Sequence, residues 1–301
     1  MRKHIPGLII GFVLLWNSGF IGAEYGLPYA SPFTFLFWRY LALTIIIFFY
    51  LWFTNRFRQL RNSTIALNMI VGILSHGVWL GGVLIALNHN VPAGIVALVV
   101  ALQPLATGAF AGIVVGEKPS LIKWLGLIVG FSGVAITVLS RIDFDDAKSI
   151  FGYLVPLGSV IAITAASLIQ RKMQVSDTSH RLPVDLALFY QSLGTVLVFA
   201  LPAIFVENLQ TDWNPEFIYS MIWLVLGVSM GAYALMWILI EQIDATRVAS
   251  LFYLGPPVTM FMAWIAFGDT LLITDIAGLL VVFTGVLLTQ IKIKTVDKTS
   301  R

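Results

Sequence analysis

His76 and Trp79 stand three residues apart inside an apolar run, so on a helix they share a face. A histidine deep in a membrane is costly enough to suggest a cavity; the plainer reading is a histidine hydrogen-bonded between packed helices. Arg39 is the other expensive residue. It lies about six residues into a second apolar run, about 9 Å deep at 1.5 Å per residue, where an arginine costs roughly 2.5–3.5 kcal/mol on insertion scales. Snorkelling recovers part of that, yet a lipid-facing Arg39 remains a liability, so it is expected to face protein or a cavity. Either it pins two helices together, with Glu24 the nearest plausible partner, or it meets an anionic substrate group or a gating carboxylate through a five-donor fork that lysine lacks. Ser229, Tyr233 and Trp237 recur at i, i+4 and i+8, and Thr246, Ser250, Tyr253, Pro257, Phe261 and Trp264 form a second stripe. Such stripes are usually packing, but the hydroxyls of Tyr233 and Tyr253 need partners in lipid and favour an interior face. Gln103-Pro104 and Pro256-Pro257 remove helix hydrogen bonds in the middle of two further runs, as static kinks or as hinges, and free carbonyls that can line a cavity. Side chains of these types recognise a molecule, and no catalytic cluster appears among them.

Composition dictates the elements that carry them. The 301 residues are 58% hydrophobic and 11% charged, with a mean hydropathy of +0.91. A soluble domain carries about 25% charge, so this much apolar surface needs lipid as its solvent. Cysteine is absent, which excludes disulfides and cysteine-based metal sites and says nothing about redox compartment. The net charge of +3 suggests membrane orientation rather than nucleic-acid binding. A span needs roughly 20 apolar residues, and ten are predicted: 6–23, 33–53, 65–87, 93–115, 121–139, 151–170, 184–206, 217–240, 245–267 and 271–291. The start, Met1-Arg2-Lys3-His4 before an apolar run, could pass for a signal peptide, but the duplication described next needs this segment as its first helix. Fifteen of the eighteen Lys and Arg fall in loops on the N-terminal side, and only Arg141 and Lys148 in the opposite ones. Both ends are therefore expected in the cytoplasm.

The stretch from Ala93 to Thr137 occurs twice, returning 152 residues later as Ala245 to Thr289 with sixteen of 45 positions identical and no gap. Pro104/Pro256, Thr107/Thr259, Gly116/Gly268, Gly126/Gly278 and Gly133/Gly285 match, and Glu117 aligns with Asp269. Pro32/Pro183 and Thr44/Thr195 extend the match at an offset of 151. The fold class is thus an all-α integral membrane protein of two five-helix repeats, 1–143 and 144–301. An odd number of spans per repeat makes the second copy enter the membrane upside down, the usual basis of alternating access.

Trp16-Asn17-Ser18-Gly19-Phe20, Pro32 with Arg39, Gln103-Pro104, Gly116-Glu117, Gly255-Pro256-Pro257 and Gly268-Asp269 together resemble the EamA-type branch of the drug/metabolite transporter superfamily, over essentially the whole chain. The resemblance implies a ten-helix carrier of small metabolites, often an exporter, in a bacterial inner membrane. It implies that helices one to four and six to nine surround a central cavity, with five and ten outside. On that basis Trp16, Asn17, Arg39, His76, Trp79, Gln103, Tyr190, Gln191, Tyr233, Trp237 and Tyr253 are the candidate substrate-binding residues, and Pro104, Pro256 and Pro257 the candidate hinges. Tyr190 and Gln191 stand where the first copy has Arg39 and Tyr40, and Glu24 stands where relatives commonly have a basic residue.

Other features have plain readings. Glu117 and Asp269 precede helix starts and suit capping, with proton coupling the functional alternative. Gly126, Gly130 and Gly133 suit close helix packing, internal or at a contact with a second copy of the chain. Asp143, Asp145 and Asp146 suit solvated turns. The pair His180 and Asp185 has acyltransferase-like spacing but no supporting glycines, and no phosphate-binding loop or metalloprotease motif occurs. No cofactor or metal is expected; the partners are a small molecule and the bilayer. The alternatives are a membrane enzyme acting on a lipid, or a non-transporting receptor or scaffold.

Overall fold

The computed structural model describes residues 5–115, 121–175, 180, 182–242 and 251–290. The expectations for Glu117, Thr246, Ser250 and both chain ends lie outside these residues. Among the described residues the regular structure is helical apart from one antiparallel bridge between Ala30 and Thr211. Eight helices are long and apolar enough to cross a membrane. They are α1 (Ile5–Gly26), α2 (Pro32–Phe53), α3 (Asn62–Asn88), α4 (Ala93–Val100 and Leu102–Val115), α5 (Leu121–Leu139), α6 (Ala147–Val175), α7 (Val184–Phe205) and α8 (Pro215–Ile222, Trp223–Ala232 and Tyr233–Gln242). Two shorter apolar helices follow, α9 (Phe252–Phe267) and α10 (Ile273–Gln290). Large apolar side chains such as Phe53, Phe205 and Ile161 point outward, as a lipid-facing surface requires. The chain is a multi-pass membrane protein.

Local chemistry ends and starts these helices. Asn214 Oδ1 accepts from the Phe217 N–H at 2.9 Å, and Pro215 follows it where a missing N–H is harmless. Gly268, at φ +74°, ends α9 in the left-handed conformation that a side chain would strain. The two runs that hold these prolines are interrupted, as a missing helix hydrogen bond predicts. α4 breaks at Ala101, and α9 begins as a 3₁₀ turn, Phe252–Leu254, before Gly255. Pro104, Pro256 and Pro257 then fall in the first turn of the segment that follows, where helix donors are free anyway. Pro156 and Pro202 are the prolines that lie inside continuous helices. Elsewhere the irregularity is a widening: α3 and α8 become π-helical over Ile73–Val78 and Trp223–Ala232.

Helices α5 and α10 pack backbone to backbone. A Cβ on Gly133 would meet the Gly278 carbonyl oxygen at 2.6 Å, and one on Gly285 would meet the Gly126 carbonyl oxygen at 2.5 Å. Gly126 aligns with Gly278 and Gly133 with Gly285, so the contact is reciprocal and the helices run antiparallel, the pattern a two-fold axis between the copies produces. The small-residue face of α5 is thereby filled from within the chain. Arg141 closes the end of this pair. Its Nε donates to Asp275 Oδ1 at 2.9 Å, its Nη2 donates to Asp275 Oδ2 and to the Thr270 carbonyl, and Asp275 is fully buried. Several other contacts come in the same matched pairs: α1 on α8 with α6 on α3, α1 on α9 with α6 on α4, then α2 on α7 and α4 on α9.

Candidate functional site

Two joined hollows occupy the middle of the bundle. The smaller, about 50 Å³, is lined by Trp16 of α1, Arg39 and Tyr40 of α2, His76 and Trp79 of α3, and Ser229 and Tyr233 of α8. The larger, about 710 Å³, shares Trp16, His76, Leu188 and Tyr233 with it and continues past Gln191 to Asn68, Gln170, Met173 and His180. The widened turns supply the central polar groups: His76 lies in that of α3 and Ser229 in that of α8.

Arg39 is 5% exposed. Its Nη2 donates to Ser229 Oγ at 3.0 Å, its guanidinium carbon lies 5.8 Å from the Tyr40 ring centre, and its Nε is buried without a partner. The ion pairs among the described residues are Arg56 with Asp185 and Arg141 with Asp275, so Arg39 has no carboxylate there. The expected pairing with Glu24 is not made. Glu24 and Asp269 each keep one carboxylate oxygen buried without a hydrogen bond. At Asp269, beyond the end of α9, burial raises the carboxyl above the ordinary range while Arg141 opposes the shift.

His76 is held from two sides. Its Nε2 lies 3.2 Å from Gln191 Oε1, and its ring stacks on Tyr40 with centroids 5.2 Å apart. Tyr40 and Gln191 are aligned positions of the two copies, so each copy contributes one support. Trp16 packs on Tyr233 at 5.3 Å. Trp16, Arg39, His76, Trp79, Gln191 and Tyr233 thus line the two hollows, together with Tyr40 and Ser229, which are not among the residues selected from sequence as substrate-binding. The signals available were the adjacency of Tyr40 to Arg39 and the spacing of Ser229 from Tyr233.

Other candidates sit elsewhere. Asn17 accepts from Thr259 Oγ1 at 3.1 Å and donates to the Val13 carbonyl, tying α1 to α9. Gln103 Nε2 donates to Ser167 Oγ at 3.3 Å, tying α4 to α6. Tyr190 and Tyr253 pack against the main apolar core and line neither hollow. The Trp237 side chain lies outside the described residues.

At the N-terminal end of α2 the loops after α1 and α7 close on each other. Glu207 accepts from the Phe33 and Thr34 N–H groups at 3.2 and 2.6 Å. Trp38 Nε1 donates to Thr211 Oγ1 at 2.9 Å, and the Asp212 N–H donates to the Tyr29 carbonyl at 2.8 Å. At the other end Arg56 Nε lies 3.0 Å from Asp185 Oδ2, without the alignment of a hydrogen bond, and Thr64 Oγ1 lies 2.8 Å from His180 Nδ1.

Comparison with known proteins fits this geometry. The model of the EamA-like transporter family matches residues 6–139 and again 150–291. The chain is 26% identical over 301 residues to the "uncharacterized transporter YvbV" of Bacillus subtilis (strain 168), covering 98% of this chain and 94% of that protein. It is 21% identical over 294 residues to the "probable amino-acid metabolite efflux pump" of Salmonella typhimurium (strain LT2), covering 95% and 94%. The "uncharacterized inner membrane transporter YedA" of Escherichia coli (strain K12) is 29% identical over 139 residues, 44% of each chain. One crystal structure shares the fold with a TM-score of 0.64 at 17% identity, over 96% of this chain and 98% of its own. With a family match in each half, and apolar helices gathered around a polar-centred hollow, the chain belongs to the EamA-like transporter family and is a membrane transporter of that type.

Proposed function

We propose that this transporter is a secondary carrier that moves a small polar or amphipathic metabolite, amino-acid-like in character, outward across a bacterial inner membrane by alternating access. In this reading the chain spans the membrane ten times as two inverted repeats, 1–143 and 144–301, with both ends in the cytoplasm. One observation carries it. The closures at the two ends of α2 and α7 use aligned positions, 34 with 185 and 56 with 207, on helices that run antiparallel. Two closures at equivalent places on opposite sides of one cavity are what exchange of two related packings requires. The larger hollow lies toward the Asn68, Gln170 and His180 end, which the basic-residue asymmetry assigns to the cytoplasm. The printed name of the Salmonella relative supports both an amino-acid-like cargo and efflux, and that of the Escherichia relative supports the inner membrane.

The chain has no cysteine, so single cysteines report cleanly. Leu188→Cys, which lines both hollows, is expected to react with an impermeant maleimide from the cytoplasmic side of proteoliposomes. It is expected to react from the outside only when the outer closure is loosened. Labelling from a single side under every condition would refute alternating access. Reporter fusions after Arg61 and Arg301 should read cytoplasmic and one near Asp212 external, and an internal signal at Asp212 would end the ten-span topology.

A further inference from the structure

Among the described residues the buried charge of Arg39 has no carboxylate beside it. Arg39 is 5% exposed, spends one N–H on the neutral Ser229 hydroxyl, and keeps Nε without a partner. A guanidinium withdrawn from water without an opposite charge is strongly unfavourable, and its geometry matches a carboxylate in bidentate fashion.

We propose that the recess beside Arg39 receives the carboxylate of the transported molecule, which makes the cargo a small monocarboxylate with an apolar or aromatic body; this rests on the carrier reading above. The recess measures about 50 Å³. One water needs about 10–15 Å³ of such room, so a three-atom carboxylate fits and a ring does not. A phosphate carries more charge and more acceptors than one guanidinium satisfies. Ser229 positions Arg39 by accepting from Nη2. The recess is continuous with the larger hollow across Trp16 and Tyr233, whose rings pack at 5.3 Å, so the body of the molecule extends along an aromatic wall. His76, fixed between Gln191 and Tyr40, stands at the junction of the two spaces. The carboxylate thus lies beside Arg39, and the body points toward the wide hollow.

The test uses the purified full chain with straight-chain alkanoates from acetate to hexanoate, each beside its neutral primary amide, read by thermal stabilisation and by binding. The wild type is expected to bind each acid about tenfold more tightly than the matching amide, with affinity rising along the series as apolar body is added. Arg39→Gln is expected to bring acid and amide within about twofold while leaving the amide unchanged. If Arg39→Gln does not fold, Arg39→Lys serves, with a preference for acid that is clearly reduced because the fork is lost. Ser229→Ala is expected to weaken acid binding by about two- to fivefold with the amide unaffected. Equal binding of acid and amide by the wild type, or an unchanged preference in both Arg39 variants, would overturn the proposal. Leu188→Cys labelling separates the two readings. Two-sided labelling without acid preference removes the carboxylate site and leaves a carrier, whereas acid preference with one-sided labelling leaves an anion site in a protein that does not alternate.

Discussion

At the N-terminal end of α2 a carboxylate, Glu207, accepts two backbone N–H groups next to the fully buried Thr34. At the opposite end, Arg56 faces Asp185 across 3.0 Å with their side chains 48% and 18% exposed. The positions correspond, 56 to 207 and 185 to 34, but the chemistry does not. A carboxylate on free donors at a helix start gains charge-assisted hydrogen bonds worth about 1.5–3 kcal/mol each in general, aided by the helix dipole. An exposed ion pair contributes little and is screened by salt. Aromatic packing is present at both ends: Trp38 and Phe217 pack on Trp213 at one, at 5.1 and 5.3 Å, and Phe57 packs on Phe48 and Phe189 at the other, at 5.6 Å each. Two aligned places are thus closed by different chemistry, and the larger hollow lies toward the end closed by the ion pair.

The largest effect is expected from Glu207→Ala, which strips the acceptor from Phe33 and Thr34. Outside labelling of Leu188→Cys should rise about tenfold or more, with a lower melting temperature; unchanged labelling would mean that the other contacts, Trp38 with Thr211, Asp212 with Tyr29 and the aromatic packing, hold this end without Glu207. Exchanging the chemistry sharpens the comparison. Thr34→Asp with Glu207→Arg recreates the inner pair at the outer end, so labelling should fall between wild type and Glu207→Ala and should increase with added salt, which the wild type does not show. Arg56→Ala should change cytoplasmic labelling by less than about twofold. An effect as large as that of Glu207→Ala would erase the asymmetry.

The smallest expected effect concerns the outer loop carboxylate Asp269. Burial raises its folded-state value, so the protonated form is favoured in the fold, and any stability it gives at low pH is lost as pH rises through that raised value. Asp269→Asn should therefore melt slightly higher than wild type near neutral pH and equally at about pH 3. A lower melting temperature near neutrality would show that the charged form is the stabilising one.

Much of this molecule is legible in its sequence because lipid makes polarity expensive. Arg39, His76, Gln191 and Tyr233 announce themselves as polar groups deep in apolar runs, and all of them line the hollows. Asn17 and Gln103 carry the same signal and are spent on bonds between helices instead, a distinction that depends on what stands opposite. Glu207 reads as an ordinary loop acid, since its partner lies 173 residues away. The prolines mark the interruptions of α4 and α9, because the ring of each clashes with the carbonyl four residues back, at Val100 and Phe252, where the regular helix gives way.

The widened turns of α3 and α8 carry a mechanical consequence. A π-helical turn holds an extra residue, and as it slides along a helix each residue it passes turns by about 100° while the segments on either side keep their register. His76 and Ser229 ride on these turns, one in each half of the chain. A helix built this way can turn its inner face by moving this turn, with its ends still anchored in the loops. The groups that grip a passenger would then be aimed by rotation about the helix axis, like a key turned in place, and not by tilting a rigid rod through lipid.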